Sequence, residues 1–408
     1  MSCSTSTADV IGPHHTKFFT KEWYPPAGTP TVAGLLFVHG FVEHIQRYDH
    51  VFPKYAEAGI AVFAYDQRGF GQTAFFTPKH SQGVTSWKEQ FEDLDFFAKS
   101  AREKFPDVPL EGRNETDAAF GVRATRGVSL RHSMGGGEVL GYPTRRPALP
   151  AFEACDFRGV VASSPLLRQA KSVRAPAFVV RAGSVLGRLS ATLPINAKVK
   201  PEDTCRDVDV QQAYANDRLC KQVGTFRGVA DMLLGGEGLV SREWKHWPRT
   251  DLPLLIVHGE ADKVSSPGPK TNFVGIDDSL TRAGRDTAQV TDHEASREFV
   301  ERVKSLGNPD ATYKGFEGFY HEMHNEPGDD KWREIGYIVD WIVARAKRSP
   351  SSTGGPNAQA PTASTTTPTP AGVPIATTQR AAPTIQVEPA SPVPQEAAPV
   401  VEARESKL

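Results

Sequence analysis

Ser133, Asp262 and His321 are the side chains whose types and order could carry acyl transfer. A serine hydroxyl is a weak nucleophile until a base takes its proton. Histidine is such a base near neutral pH, and a carboxylate beside it orients the ring and stabilises the imidazolium. Ser133 stands in Arg131-His132-Ser133-Met134-Gly135, with Gly136 and Gly137 following. The pattern fits G-x-S-x-G except at its first position, where an arginine brings a long side chain to a place that normally has little room. In that motif the serine occupies a sharp strand-to-helix turn, and small neighbours keep the backbone from colliding. Taken alone, a serine beside glycines could equally belong to a simple loop. Asp262 closes HGEAD after one apolar run, and His321 lies in YHEMH after another.

Two further stretches follow apolar runs. In His39-Gly40-Phe41-Val42-Glu43-His44 a backbone N–H just past the glycine could face a developing oxyanion. In Tyr65-Asp66-Gln67-Arg68-Gly69-Phe70-Gly71 the glycines permit a tight turn, and no chemistry is assigned to it. A metal reading of His321 and His324 lacks a third ligand, and His-Glu-x-His does not set two ligands one helical turn apart. Cys3, Cys155, Cys205 and Cys220 form no C-x-x-C pair and no zinc spacing. The expectation is therefore no metal and no organic cofactor, with the cysteines as thiols in a reducing compartment.

The elements that must position these residues alternate. Gly34–Val38, Ala61–Tyr65, Gly159–Ala162 and Leu254–Val257 are short runs apolar on both faces, the mark of strands in a covered parallel sheet. Trp87, Phe91, Leu94 and Ala98 recur at helical spacing within 86–105, and Trp332, Ile335, Val339 and Ile342 mark a closing helix. The pattern predicts an α/β fold with a mostly parallel sheet. Residues 166–247 break the rhythm with helical stripes (Phe178, Ala182, Val185, Leu189; Phe226, Val229, Leu233) and no clear strand. They read as an inserted helical cap, the alternative being one more helical layer of the core. Residues 1–15 read as an N-terminal extension and 16–348 as the domain. From 349 to 408 the chain is rich in Pro, Ala and Thr without aromatic residues, a composition that cannot offset chain entropy and predicts disorder.

A formal net charge of −1 over 408 residues argues against a nucleic-acid partner held by bulk electrostatics. No run of about 18 apolar residues occurs, so no spanning helix is expected. The first residues lack a basic region followed by an apolar one, so a secretory signal is not expected.

The chain order Ser…Asp…His, with HGFVEHIQRY, YDQRGFGQT, HSMGG, HGEADKV and YHEMHNEP, resembles the monoglyceride lipase and lysophospholipase group of α/β-hydrolases. The matching pieces are scattered from about Phe19 to Arg345. The resemblance implies Ser133 as nucleophile, Asp262 as acid, His321 as base, and the backbone N–H groups of Phe41 and Met134 as the oxyanion hole. It implies support from Glu43, Arg47 and His324, and an acylglycerol or lysolipid substrate. A small-ester carboxylesterase, a peptidase, or an impaired relative that only binds lipid remain open alternatives. The apolar cap would shelter an acyl chain and touch a lipid surface transiently. Residues 111–128 and 268–292 interrupt the family pattern and read as extra sequence, of the kind a translated intervening gene segment would add.

The chain ends in Ser406-Lys407-Leu408, the peroxisomal address read by a soluble import receptor. Peroxisomal delivery is the expectation, with cytoplasm as the fallback.

Overall fold

The two-sided apolar runs become the central strands of one sheet. The computed structural model describes residues 2–75, 81–105, 127–154, 157–170, 174–197, 199–248, 252–262 and 291–346. The strands are β1 (Ser4–Ile11), β2 (Lys17–Tyr24), β3 (Ala33–Val38), β4 (Ile60–Tyr65), β5 (Gly127–His132), β6 (Phe157–Ser163), β7 (Pro194–Asn196), β8 (Val223–Thr225), β9 (Leu254–Gly259) and β10 (Ala311–Phe316). Eight of them form a sheet in the order β1-β2-β4-β3-β5-β6-β9-β10. From β4 to β10 neighbours run parallel, while β1 with β2 and β2 with β4 are antiparallel. Every residue of β3, β4 and β9 is buried, as strands covered on both faces must be.

The helices are α1 (Phe52–Glu57), α2 (Gly71–Phe75), α3 (Trp87–Lys104), α4 (Ser133–Gly141), α5 (Pro150–Ala154), α6 (Ala177–Leu189), α7 (Val208–Asn216), α8 (Phe226–Ser241), α9 (His293–Ser305) and α10 (Asp330–Ala346). Helix α3 begins where Ser86 accepts the Glu89 N–H, and it buries Phe91, Leu94, Phe97 and Ala98 in one face of the core. Ile335, Ile338, Trp341 and Ile342 of α10 pack in the opposite layer with Val161, Leu255 and Val257. Helices α3 and α10 thus close opposite apolar faces of the sheet, the arrangement that the alternating pattern demands.

Three readings from sequence are corrected. Residues 4–11 are not outside the domain: β1 pairs along its whole length with β2. Its sequence, STSTADVI, lacks an apolar face because the strand lies at the sheet edge, where backbone hydrogen bonds replace burial. The segment 166–247 contains two strands, β7 and β8, paired antiparallel over three residues each and too short to show a period. Four residues assigned to the two interruptions belong to the described fold: Gly127 and Val128 pair within β5, Thr291 is buried and Asp292 caps α9.

Within 166–247 the two long helices differ in what they cover. Helix α8 joins the core through Leu239 and Val240, and a Cβ on its Gly235 would lie 2.1 Å from the Trp87 ring. Helix α6 crosses α8 so closely that a Cβ on Gly187 would stand 2.6 Å from Arg227 Cα. Its other face leaves Phe178, Val179, Val185 and Leu189 exposed. The interruptions at 111–126 and 268–290, and the tail 349–408 with Ser406, Lys407 and Leu408, lie outside the described residues.

Candidate active site

Strand β5 delivers Ser133. Five of its residues, Gly127 to Arg131, pair with β3, and all six pair with β6, with one register shift on that side between Gly127 and Val128. The interruption upstream therefore leaves this strand in place, and the Arg131 backbone sits opposite Val38 and Ala162. Ser133 follows at φ +53°, a left-handed conformation that a side-chain-bearing residue adopts only when its surroundings impose it. The surroundings are the glycines. A Cβ on Gly135 would stand 2.6 Å from the carbonyl oxygens of Val38 and His39, and one on Gly136 would stand 2.8 Å from Pro165 Cα. Helix α4 can approach the sheet this closely only without those side chains, and the tight turn lifts the serine above the strand ends.

His321 follows β10 and Asp262 follows β9, so the parallel pairing of these strands brings both loops to the same sheet edge as Ser133. His321 Nε2 lies 2.9 Å from Ser133 Oγ, and His321 Nδ1 lies 2.8 Å from Asp262 Oδ2. All three are buried. Burial works against the charged form of Asp262, but the His321 charge and hydrogen bonds from His258 and His321 hold its carboxyl well below the usual range. Burial likewise opposes protonation of His321, but the Asp262 charge overcomes it and raises the imidazole above its ordinary value. The arrangement suits a ring that accepts a proton on Nε2 while Nδ1–H donates to a fixed carboxylate.

Asp262 has partners that sequence reasoning missed. Thr291 Oγ–H donates to Asp262 Oδ2 at 2.5 Å, and His258 Nε2 lies 3.1 Å from the same oxygen. His258 Nδ1 is 2.9 Å from Ser296 Oγ, and burial keeps this ring neutral. The HGEAD motif contained His258, but Thr291 and Ser296 are distant in sequence and gave no signal.

Phe41 and Met134 flank Ser133. Met134 is the second residue of α4, whose first-turn N–H groups have no partner within the helix and carry the positive end of its dipole. Gly40 lies against the serine: a Cβ there would be 2.9 Å from Ser133 Cβ. The Gly40 N–H donates to Glu43, and Phe41 is the next residue along this turn. His39 fixes the loop by donating Nδ1–H to Gly40 O and accepting the Gln67 N–H at Nε2, 2.8 Å away. The side chains of Phe41 and Met134 join Phe70, Leu166, Tyr214 and Met232 in an apolar cluster between the sheet loops and residues 166–247.

Glu43 and Arg47 sit behind the site and do not touch Ser133 or His321 by any recorded hydrogen bond among the described residues. Arg47 grips Glu322 with two bonds of 2.7 Å and Glu43 with one of 3.0 Å, while Tyr48 Oη–H donates to Glu43. Burial and the neighbouring Glu322 charge push Glu43 up to about 7 against the pull of Arg47. Arg47 holds Glu322 well below the carboxylate range in spite of burial. Because Glu322 is bonded to His321 in the chain, this clamp fixes the loop that carries His321. Glu322 lies within YHEMH, where nothing in its spacing sets it apart. His324 stacks on Tyr48 with ring centroids 4.6 Å apart and meets His132 edge-on at 5.0 Å. Burial keeps both rings neutral, and they pack behind the base without bonding to it.

His321 is committed to Ser133 and Asp262, and His324 shares no ligand position with it. Among the described residues one other group, His44, Asp217 and Cys220, brings donor atoms together.

The family described as serine aminopeptidase, S33 (Hydrolase_4) matches residues 29–111 and 124–283. A putative monoglyceride lipase of Schizosaccharomyces pombe is 29% identical over 93% of this chain and 88% of its own. A monoacylglycerol lipase of Mycolicibacterium smegmatis is 27% identical over 84% of this chain and 99% of its own. The solved structure of a soluble variant of the Saccharomyces cerevisiae monoglyceride lipase, in complex with a substrate analogue, superposes with a TM-score of 0.65. That match is 19% identical and covers 85% of this chain and 96% of the other, a likeness of fold. The fold is thus that of the α/β-hydrolases, as the order of the motifs implied.

Proposed function

The chain belongs to the serine aminopeptidase S33 family of hydrolases, and on that premise we propose that it is a serine ester hydrolase whose substrate is a monoacylglycerol. One observation carries the reaction: a positive-φ serine whose Oγ, at 2.9 Å, faces an imidazole that is itself tied at 2.8 Å to a buried carboxylate. The lipase names of the relatives support the ester substrate over a peptide.

Ser133 Oγ attacks the ester carbonyl carbon as His321 Nε2 takes its proton. Asp262 stabilises the imidazolium, and the Phe41 and Met134 N–H groups stabilise the oxyanion, each donor being worth about 3 kcal/mol of barrier. His321 then protonates the departing glycerol oxygen, leaving an acyl-enzyme. Water attacks that ester with His321 as base again, giving fatty acid and free Ser133. Glu43, Arg47 and His324 hold loops and touch no reacting atom. No cofactor takes part.

The cap about 166–247 would shelter the acyl chain beside Phe41, Met134 and Met232, with the exposed face of α6 meeting a lipid surface. The family match steps over residues 112–123, which supports reading the first interruption as an addition; it runs on to 283 and lends no such support to the second. The terminal Ser406-Lys407-Leu408 supports delivery by the peroxisomal import receptor. No helix of the described residues is long and apolar enough to cross a membrane.

The test is labelling of the full chain by a fluorophosphonate probe, beside Ser133→Ala and Arg131→Gly. Labelling lost only in Ser133→Ala supports the reading, and monoacylglycerol turnover should vanish with it. An unlabelled chain that Arg131→Gly restores identifies the arginine as the disabling change. Silence in all three folded proteins replaces the hydrolase with a lipid-binding relative.

A further inference from the structure

The geometry points to a divalent-cation site of the zinc class, formed by His44, Asp217 and Cys220 where residues 199–222 meet the loop after β3. An imidazole nitrogen, a carboxylate oxygen and the thiol sulfur lie within 4.8 Å of one another. Tetrahedral zinc with bonds of about 2.0–2.3 Å sets such atoms roughly 3.5 Å apart, so small side-chain rotations close the cage. Asp217 and Cys220 are held ready by one turn, in which the Cys220 N–H donates to Asp217 O at 3.1 Å and the Leu219 N–H to Asp217 Oδ1 at 2.8 Å. That leaves Oδ2 facing His44 Nε2 at 2.8 Å.

Two features favour an ion over a plain hydrogen bond. His44 is nine-tenths buried and its Nδ1 has no partner, so Nε2 is its hydrogen-bonding atom, and that atom already faces Asp217 Oδ2 at 2.8 Å; an ion there would take both atoms as ligands as the imidazole proton moves to Nδ1. The Cys220 thiol is buried beside that pair, and imidazole with thiolate selects zinc over magnesium or calcium. Arg47, a cation on the same loop as His44, is already neutralised by Glu43 and Glu322 and so repels an incoming ion weakly. Asp217 is about a quarter exposed, which leaves an entry path and room for a water as fourth ligand. Binding converts the Cys220 thiol to a thiolate bonded to the metal, with one proton released to solvent. Sequence spacing could not reveal the site, since His44 is 173 residues from Asp217.

The ion would clip residues 217–220 to a loop three residues past Phe41. The site does not depend on hydrolysis, and its test should be run on the full chain and on Ser133→Ala alike. Purified protein freed of metal by chelation is titrated with Co²⁺, and the near-ultraviolet thiolate-to-cobalt band is recorded. The expected result is one equivalent bound with that band, an identical band in Ser133→Ala, and zinc competing the cobalt away. Cys220→Ser should abolish the band, Cys205→Ser should keep it, and Asp217→Asn should weaken binding by about tenfold or more. Absence of the band in the folded chain, or its survival in Cys220→Ser, overturns the site. If circular dichroism shows Cys220→Ser unfolded, an undiminished affinity in Asp217→Asn overturns it instead.

Discussion

Thr291 Oγ–H donates to Asp262 Oδ2 across 2.5 Å, although the two are 29 residues apart in the chain. The acid therefore accepts three donors at one oxygen, from Thr291, His258 and His321. Thr291→Val keeps the shape and removes one donor. A hydrogen bond to a charged group is worth about 1.5–3 kcal/mol, so kcat should fall roughly tenfold to a hundredfold with KM little changed. Thr291→Ser should restore most of it. Steady-state kinetics on a soluble ester checks both.

The pH profile follows from the base. His321 must be neutral to accept the serine proton, and Asp262 raises its pKa above the ordinary value of 6.5 against burial. kcat/KM should therefore climb with pH through a midpoint above 6.5 and level off on the alkaline side. Asp262→Asn removes the raising charge, so its residual activity, lower by about 10⁴, should show a midpoint shifted to lower pH. A midpoint unmoved in that variant would separate Asp262 from the base.

The glycines of the elbow are a packing requirement. In Gly135→Ala the new methyl meets two backbone carbonyl oxygens at 2.6 Å, atoms that cannot swing aside. Overpacking of this kind costs about 1–3 kcal/mol, and displacement of α4 moves Ser133 and Met134 together. The variant should unfold at lower denaturant and lose fluorophosphonate labelling. Gly336→Ala on α10, where a Cβ meets nothing within 4 Å, is the control expected to leave both unchanged.

Glu334 is buried on α10 with its Oε1 3.1 Å from Ser163 Oγ, and burial pushes its carboxyl up to about 8. A folded-state value above the unfolded one means that the folded chain holds the proton the longer. Stability from this group is full below the usual carboxyl value near 4.5 and drains away as pH rises to about 8. Glu334→Gln mimics the protonated form. It should raise Tm at pH 8 and change it little at pH 4.5, as differential scanning calorimetry would record.

The exposed face of α6 gives a separable prediction. Phe178 and Leu189 are 74% and 81% exposed, and inserting such side chains into a bilayer contributes up to about 1.5–3 kcal/mol each. Phe178→Ser with Leu189→Ser should lower association with phosphatidylcholine vesicles by at least about tenfold. Hydrolysis of a short soluble ester should stay near the parent rate, since neither residue belongs to the site. Undiminished vesicle binding would remove α6 from the surface contact.

The sequence by itself determined the sheet, because strands buried on both faces must be apolar throughout, as Leu35–Val38 and Leu254–Val257 are. It also set Ser133, Asp262 and His321 in order after such runs, and parallel strands carry their following loops to one edge. It could not show β1 or β7 and β8, whose pairing rests on backbone hydrogen bonds at an edge or over three residues, and leaves no apolar period. Nor could it show Thr291 on Asp262, Glu322 under Arg47, or Cys220 beside His44. Those contacts join residues far apart in the chain, and a hydroxyl, carboxylate or thiol has the same letter whether it meets solvent or a buried partner. Only the folding of the loops over the sheet decided which it would be.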